Sequence, residues 1–168
     1  MLEHLWNGWR ADYVQRGAGR GTHDKSVFTS ILESGMPDDE SYIVRRGSRC
    51  FAILNAFPYS CGHVLVLPYR EIGELELLDD GERVELWLMV QQAVAVLKTE
   101  YSPHGVNVGI NLGAAAGGSI AQHLHVHVVP RWGGDSNFMV AVANAKILPE
   151  ALVTTWERVA RRWQEVAP

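Results

Sequence analysis

The sequence predicts an α+β fold with a mostly antiparallel sheet, on three observations. Short β-prone runs gather between Ser41 and Leu67 and again between Val106 and Val129. One long helical segment, Asp79 to Tyr101, stands between the two groups, and further helical segments occupy both ends of the chain. No internal repeat or composition break marks a second domain. The 168 residues are therefore read as one domain, with a core at about residues 40–135 and N- and C-terminal helical extensions.

Leu2, Leu5, Trp6, Trp9 and Tyr13 recur at spacings of three and four, which predicts a short helix over 2–14. Gln15 to Lys25, rich in glycine and charge, reads as a mobile loop. Ser41 to Arg45 and Cys50 to Leu54 are strands joined by a hairpin turn at Gly47-Ser48. Asn55 to Gly62 reads as a loop, and Val64 to Leu67 as a strand halted by Pro68. Asp79 or Asp80 caps the long helix. One of its faces carries Val84, Trp87, Leu88, Gln91, Val94 and Ala95, and a second carries Leu86, Val90, Ala93 and Leu97. Two apolar stripes predict burial around much of the circumference. Pro103 ends that helix, Val106 to Leu112 alternates as a strand, and Gly113 to Ser119 is small and flexible. Leu124 to Val129 is a strand, and Pro149 to Val166 a helix opened by its proline.

A net charge of −4 argues against a general nucleic-acid surface, which needs a basic face. A small nucleotide asks only for a local pocket of donors. No apolar run approaches a membrane span, and His4, Arg10 and Asp12 interrupt the early apolar segment, so no signal peptide is expected. Cys50 and Cys61 form neither a Cys-x-x-Cys nor a disulfide framework, so a reduced, cytoplasmic protein is the simplest reading.

The most informative segment is Gln122-His123-Leu124-His125-Val126-His127-Val128-Val129-Pro130-Arg131. Residues two apart in a strand share a face, so the three histidines line one side while Leu124, Val126 and Val128 anchor the other in the core. Histidine is also a common metal ligand, but a structural zinc site takes four ligands. Neither a cysteine pair nor an acidic cluster completes that set here. Just upstream, Gly117-Gly118-Ser119 offers backbone N–H groups and a hydroxyl to an anion. Arg131 is either a phosphate partner or an ordinary exposed arginine.

These parts suit transfer at phosphorus. A neutral imidazole attacks phosphorus to give a phosphoramidate, a neighbouring imidazole protonates the leaving oxygen, and amide and hydroxyl donors hold the non-bridging oxygens. No metal or other cofactor is required by that scheme.

The motif His123-Leu-His125-Val-His127-Val-Val129 resembles that of the histidine-triad nucleotide hydrolases and transferases. Asn55-Ala-Phe-Pro-Tyr-Ser-Cys-Gly-His63-Val-Leu-Val-Leu-Pro68 is similar to the family's upstream nucleotide-binding block, and Asn111 through Ser119 to its approach to the triad. Leu5-Trp-Asn-Gly-Trp-Arg10 and Pro130 through Met139 resemble the bacterial branch that includes diadenosine tetraphosphate phosphorylases. The resemblance implies a compact α+β roll, paired as a homodimer with sheets continuous across the interface. It implies that His125 attacks the α-phosphorus, that His123 positions it, and that His127 and His63 contact phosphate or assist. Asn55 would reach the sugar region, and Asn111, Gly118 and Ser119 would bind phosphate. Trp132 either stacks on a base or packs at a dimer or helix contact. Phe51, Ile53 and Leu67 are candidates for an apolar base slot. Trp6, Trp9, Trp156 and Trp163 either pack between subunits of a higher assembly or cap the monomer's own core.

The sequence also departs from its family. Where many relatives carry a zinc-binding Cys-x-x-Cys, Ser26-Val-Phe-Thr29 stands here, and Glu71 replaces a further histidine ligand. No bound zinc is expected. The leading function is cleavage of a dinucleoside polyphosphate, most simply diadenosine tetraphosphate, by phosphorolysis or hydrolysis. Hydrolysis of nucleoside phosphoramidates, and a non-catalytic nucleotide-binding module, remain as alternatives.

Overall fold

The computed structural model describes residues 25–118, 120–135 and 149–167. The expected helix over 2–14, Trp6, Trp9, Ser119 and the segment 136–148 lie outside the described residues.

Ser26 caps α1 (Val27–Glu33) by accepting a hydrogen bond from the Thr29 N–H, an element that periodicity alone does not isolate. A single turn, α2 (Asp38–Ser41), ends at Tyr42 in the left-handed region. The hairpin expected at Gly47-Ser48 follows, as β1 (Ile43–Arg46) and β2 (Cys50–Leu54). β3 (Val64–Pro68) pairs with β2, and α3 (Asp80–Tyr101) begins on a capping box between Asp79 and Glu82. β4 (Gly105–Ile110), β5 (Val126–Arg131) and α4 (Leu152–Val166) complete the order. The sheet runs β1-β2-β3-β5-β4 and every pairing is antiparallel.

Both faces of the central strands are covered, which is why β2 and β3 read as continuous apolar runs. Ala52, Leu54, Val64, Val66, Val126 and Val128 face α3 and α4, where Leu86, Ala93, Leu97, Val159 and Trp163 meet them. On the other face Ile43, Phe51, Ile53, Leu65 and Leu67 pack with Phe28 of α1. Each such side chain contributes about 1.5–3 kcal/mol when fully buried. Phe51, Ile53 and Leu67 are therefore covered by the chain's own residues and do not line an open base slot.

Two other expectations are corrected, and one open alternative is decided for two residues. α3 buries the stripe of Leu86, Val90, Ala93 and Leu97, but Val84, Trp87 and Leu88 are exposed. A sheet lies beneath the helix and α4 beside it, so of the first stripe only Val94 packs against the core, while the end that carries Val84, Trp87 and Leu88 stays exposed. α4 starts at Leu152 with Ala151 as its N-cap, so Pro149 precedes the helix instead of opening it. Of the four tryptophans at the ends, Trp163 is fully buried, and the Trp156 Nε1–H donates to the Ile43 carbonyl at 2.8 Å. These two complete the monomer's own core. α4 is further tied to α3 by Arg158 and Arg162, which both bond the buried Glu100 carboxylate. Among the described residues no helix is long and apolar enough to cross a membrane.

Candidate active site

The histidine segment enters the sheet two residues later than expected. β5 starts at Val126, so His123 and His125 precede the ladder, where the Leu124 N–H is held by the Ile72 carbonyl at 2.7 Å. Alternation nevertheless persists. Leu124, Val126 and Val128 join the core, while the three imidazoles stand on the opposite face. His123 is fully buried and His125 nearly so.

Hydrogen-bond accounting assigns the ring protons. The His125 Nδ1 lies 2.8 Å from the His123 carbonyl oxygen, which accepts only. The proton is on Nδ1, and Nε2 carries the lone pair. His123 Nε2 faces the Pro68 carbonyl at 2.8 Å, so it too is the protonated nitrogen, and its Nδ1 accepts from the Ser26 hydroxyl at 2.7 Å. On the other side of His125, the Tyr59 N–H donates to His63 Nδ1 at 3.1 Å. His63 Nε2 therefore donates to His127 Nδ1 at 3.0 Å, which leaves the proton of the neutral His127 ring on Nε2; the Asn111 side-chain amide, 3.5 Å away, meets that proton with Oδ1 as acceptor once its terminal O and N are exchanged. A ring with a lone pair thus stands beside a ring that presents N–H, with centroids 4.9 Å apart.

Burial pushes His125 below the ordinary imidazole value, against a smaller upward pull from its bond to the His123 carbonyl. His123 is lowered by burial as well, opposed by the Pro68 bond and the Glu71 charge. Both rings are neutral at pH 7.

The loop that delivers His63 is built as tightly as the strand. Asn55 N–H donates to the His63 carbonyl, His63 N–H to the Ser60 carbonyl, and the Ser60 hydroxyl to the Pro130 carbonyl at 2.6 Å. Gly62, at φ 77°, passes so close to α3 that a Cβ would sit 3.0 Å from Leu97 and 3.1 Å from Tyr101. Asn55 uses its Oδ1 for the Phe57 N–H and places Nδ2 3.3 Å from His63 Nδ1, so it both turns the loop and adjoins the imidazoles. Behind the loop lies a cleft of about 190 Å³ lined by Leu54, Pro58, Glu150 and Thr155 among others. It is smaller than the roughly 300 Å³ of an ordinary ligand pocket, and the His123 and His125 rings do not line it.

Other sequence-derived candidates are placed differently. The glycine-rich run is not slack. Ala114–Ala116 forms a 3-10 turn, and the N–H groups of Ala116, Gly117 and Gly118 all donate back to the Gly113 and Ala114 carbonyls. Gly118 is thus a close-approach residue, where a Cβ would meet two carbonyl oxygens at 3.0 and 3.1 Å, and its N–H is already engaged. Ser119 lies outside the described residues. Trp132 follows the far end of β5. Five residues at about 3.3 Å each put its backbone roughly 16 Å from that of His127, so it is not brought to the imidazoles of its own chain. Arg131 is held by Asp135 and Asn107 at that same end and serves as a local tether.

Sequence reasoning missed Tyr59 and Phe28. Tyr59 supplies the N–H that sets the His63 tautomer and lays its ring nearly parallel to His127 at 5.8 Å. Phe28 packs on His123 and His125 at 5.4 and 5.5 Å. Neither carries a motif, since one acts through its backbone and the other through shape. Among the described residues no group of three or more His, Cys, Asp or Glu is arranged to hold a metal ion.

Residues 37–134 match the family model described as the HIT domain. The chain belongs to the HIT family. Across 168 aligned residues it is 44% identical to the AP-4-A phosphorylase of Mycobacterium tuberculosis, an alignment that covers 97% of this chain and 85% of the relative. Over 81 residues it is 35% identical to the bis(5'-adenosyl)-triphosphatase of Dictyostelium discoideum, with 48% and 54% covered. Among solved structures, a hypothetical histidine triad nucleotide-binding protein from Sulfolobus tokodaii superposes with a TM-score of 0.67 at 25% identity, covering 82% of this chain and 91% of that one. A zinc-bound histidine triad family protein from Mycobacterium smegmatis gives 0.68 at 21% identity, covering 84% and 95%, a likeness of fold. The five-stranded antiparallel sheet with its helices is thus a HIT fold.

Proposed function

We propose that this HIT protein is a nucleotidyl-transferring enzyme that cleaves diadenosine tetraphosphate, with inorganic phosphate as the preferred second substrate. The carrying observation is the pairing of a neutral His125, its Nε2 lone pair set by the His123 carbonyl, with a His127 whose Nε2 bears the proton. The first ring has the atom that attacks phosphorus, and the second has the proton that a leaving oxygen takes up.

His125 Nε2 attacks the α-phosphorus. A P–N bond forms as the bond to the bridging oxygen breaks, ATP departs with the proton from His127, and AMP stays on His125. A phosphate oxygen then attacks the same phosphorus as the proton on the phosphate passes back to His127, the P–N bond breaks, and ADP leaves. Water in place of phosphate gives AMP. His63 supports His127 through the 3.0 Å bond, and Asn111 stands next to the transferable proton. Gly118 shapes the turn before the triad, the Ser119 hydroxyl is assigned to a phosphate oxygen, and Asn55 serves the sugar side. The likeness to the M. tuberculosis AP-4-A phosphorylase over nearly the whole chain supports phosphate as acceptor.

The enzyme works as a homodimer in this reading. β4 is the edge of the sheet, with Val108 exposed on it, and Val84, Trp87 and Leu88 form an exposed apolar stripe on α3. An open strand edge and an apolar helix face both invite a second copy.

Product analysis tests the reaction. Diadenosine tetraphosphate incubated with the protein yields ADP and ATP in the presence of phosphate. AMP plus ATP at the same rate with and without phosphate would make the enzyme a hydrolase. No turnover in either condition would refute the substrate.

A further inference from the structure

The positions at which this sequence departs from the zinc-binding pattern of its relatives meet in one partly buried cluster against the fully buried His123. The Glu71 carboxylate accepts the Ser26 N–H at 3.0 and 2.9 Å and the Thr29 hydroxyl at 2.5 Å. Ser26 Oγ accepts the Thr29 N–H at 3.1 Å and gives its own proton to His123 Nδ1 at 2.7 Å. Burial opposes the charge on Glu71, yet the bonds from Thr29 and Ser26 outweigh it and hold the carboxyl below the usual carboxylate range.

A zinc ion does not fit these residues. Its ligands are thiolate, imidazole or carboxylate, and of the four side chains only Glu71 and His123 qualify. Tetrahedral donors about 2.1 Å from one ion stand about 3.4 Å from each other. Here the contacting side-chain atoms of Ser26, Thr29, Glu71 and His123 are 2.5–3.0 Å apart, with direct hydrogen bonds from Thr29 to Glu71 and from Ser26 to His123.

The cluster has two outputs, and both end at His125. It fixes the ring and backbone of His123, whose carbonyl takes the His125 Nδ1 proton. It also clamps the start of α1, and so seats Phe28 against the His123 and His125 rings. We propose that Ser26, Thr29, Glu71 and His123 form a metal-independent clip in which Glu71 is a positioning residue for the nucleophile. The claim about positioning rests on His125 being the nucleophile, whereas the claim about metal does not.

The test compares the wild-type protein with Glu71→Ala, Glu71→Gln, Ser26→Ala and the triple variant Ser26→Cys/Thr29→Cys/Glu71→His. Each is dialysed against zinc and then against metal-free buffer, and its zinc is counted by elemental analysis. Histidine ring nitrogens are followed by NMR, and kcat and KM are measured on diadenosine tetraphosphate. The wild type retains less than about 0.1 zinc per chain and the triple variant about one, because the latter presents four competent ligands. Glu71→Ala shifts the His123 and His125 ring signals and lowers kcat about 10- to 100-fold, with KM changed less than about threefold, the size expected when a supporting shell is loosened. Glu71→Gln, which keeps an acceptor for the Ser26 N–H, recovers most of both readouts. Ser26→Ala shifts the His123 signals without unmaking the carboxylate, so the clip stays testable if Glu71→Ala fails to fold. Stoichiometric zinc in the wild type overturns the metal-independent clip. Unmoved ring signals with wild-type kcat in Glu71→Ala and Ser26→Ala overturn the positioning role. If the wild type itself turns over no nucleotide, the functional reading fails, and zinc content and ring signals still decide the clip.

Discussion

The imidazole Nδ1 of His125 lies 2.8 Å from the backbone carbonyl oxygen of His123, two residues earlier in the same chain. One short local bond therefore decides which nitrogen of the second ring is free to attack. Since the carbonyl cannot donate, the lone pair is left on Nε2 for as long as the ring is neutral.

That condition yields a pH prediction. Burial holds His125 and His123 below the ordinary value of 6.5, so the attacking ring stays neutral into mildly acid solution. The acid limb of the kcat/KM profile is expected below pH 6.5. The sign for stability follows from linkage. As pH falls through about 6.5 the unfolded imidazoles take up protons that the folded ones refuse, so the unfolded chain gains. Stability from these two groups is highest above about pH 6.5 and declines as pH falls toward the folded pKa values, which urea denaturation at stepped pH will register. Replacing both rings by Gln should flatten that decline.

A second prediction concerns His127. Its Nε2 proton, fixed by the chain from Tyr59 through His63, is assigned to the leaving oxygen. His127→Gln should lower kcat on diadenosine tetraphosphate by about 10²- to 10⁴-fold, the range for a lost general acid. On a nitrophenyl ester of AMP, whose leaving group departs without a proton, the loss should shrink to less than about tenfold. Equal losses on both substrates would remove the acid role from His127.

Much of this site was legible in the sequence because period-two alternation is a local property. Leu124, Val126 and Val128 had to share a face, and the histidines had to take the other. In the Asn55–His63 block local pattern gave only a loop ending in glycine that feeds a continuous apolar strand, and its place in the site was implied by the family resemblance. What sequence spacing could not reveal were contacts made through backbone atoms or across long separations. Tyr59 acts by its N–H, and Ser26 meets His123 from 97 residues away. Gly118 shows the opposite error. A run of small residues looked slack and donor-rich, but its N–H groups close on their own turn. The α3 stripe of Val84, Trp87 and Leu88 was expected to be buried, since apolar spacing identifies a face without saying which molecule covers it.

Gly62 carries the third prediction. At φ 77°, with Leu97 and Tyr101 only 3.0–3.1 Å from where a methyl group would sit, a side chain there is both strained and crowded. Gly62→Ala is expected to cost about 1–3 kcal/mol from left-handed strain and overpacking, measured by chemical denaturation. Because His63 follows directly, kcat should fall even where the variant is fully folded.

The fourth prediction tests the assembly. Trp87→Glu with Val108→Glu places charge on the exposed α3 stripe and the β4 edge, without touching a core side chain. Light scattering on eluting protein should report a dimer for the wild type and a monomer for the double variant. A monomeric wild type would leave the exposed stripe to another partner.

Capture of the covalent intermediate bears most directly on the central claim. The protein is mixed with diadenosine tetraphosphate without phosphate, quenched in alkali, where a phosphoramidate survives, and analysed by intact and peptide mass. The account predicts a gain of one AMP moiety on the peptide at His125, discharged as ADP when phosphate is added before the quench. It also predicts that His125→Ala forms no adduct and loses turnover by at least about 10⁴-fold. An adduct at another residue, or near-normal turnover by His125→Ala, would contradict it.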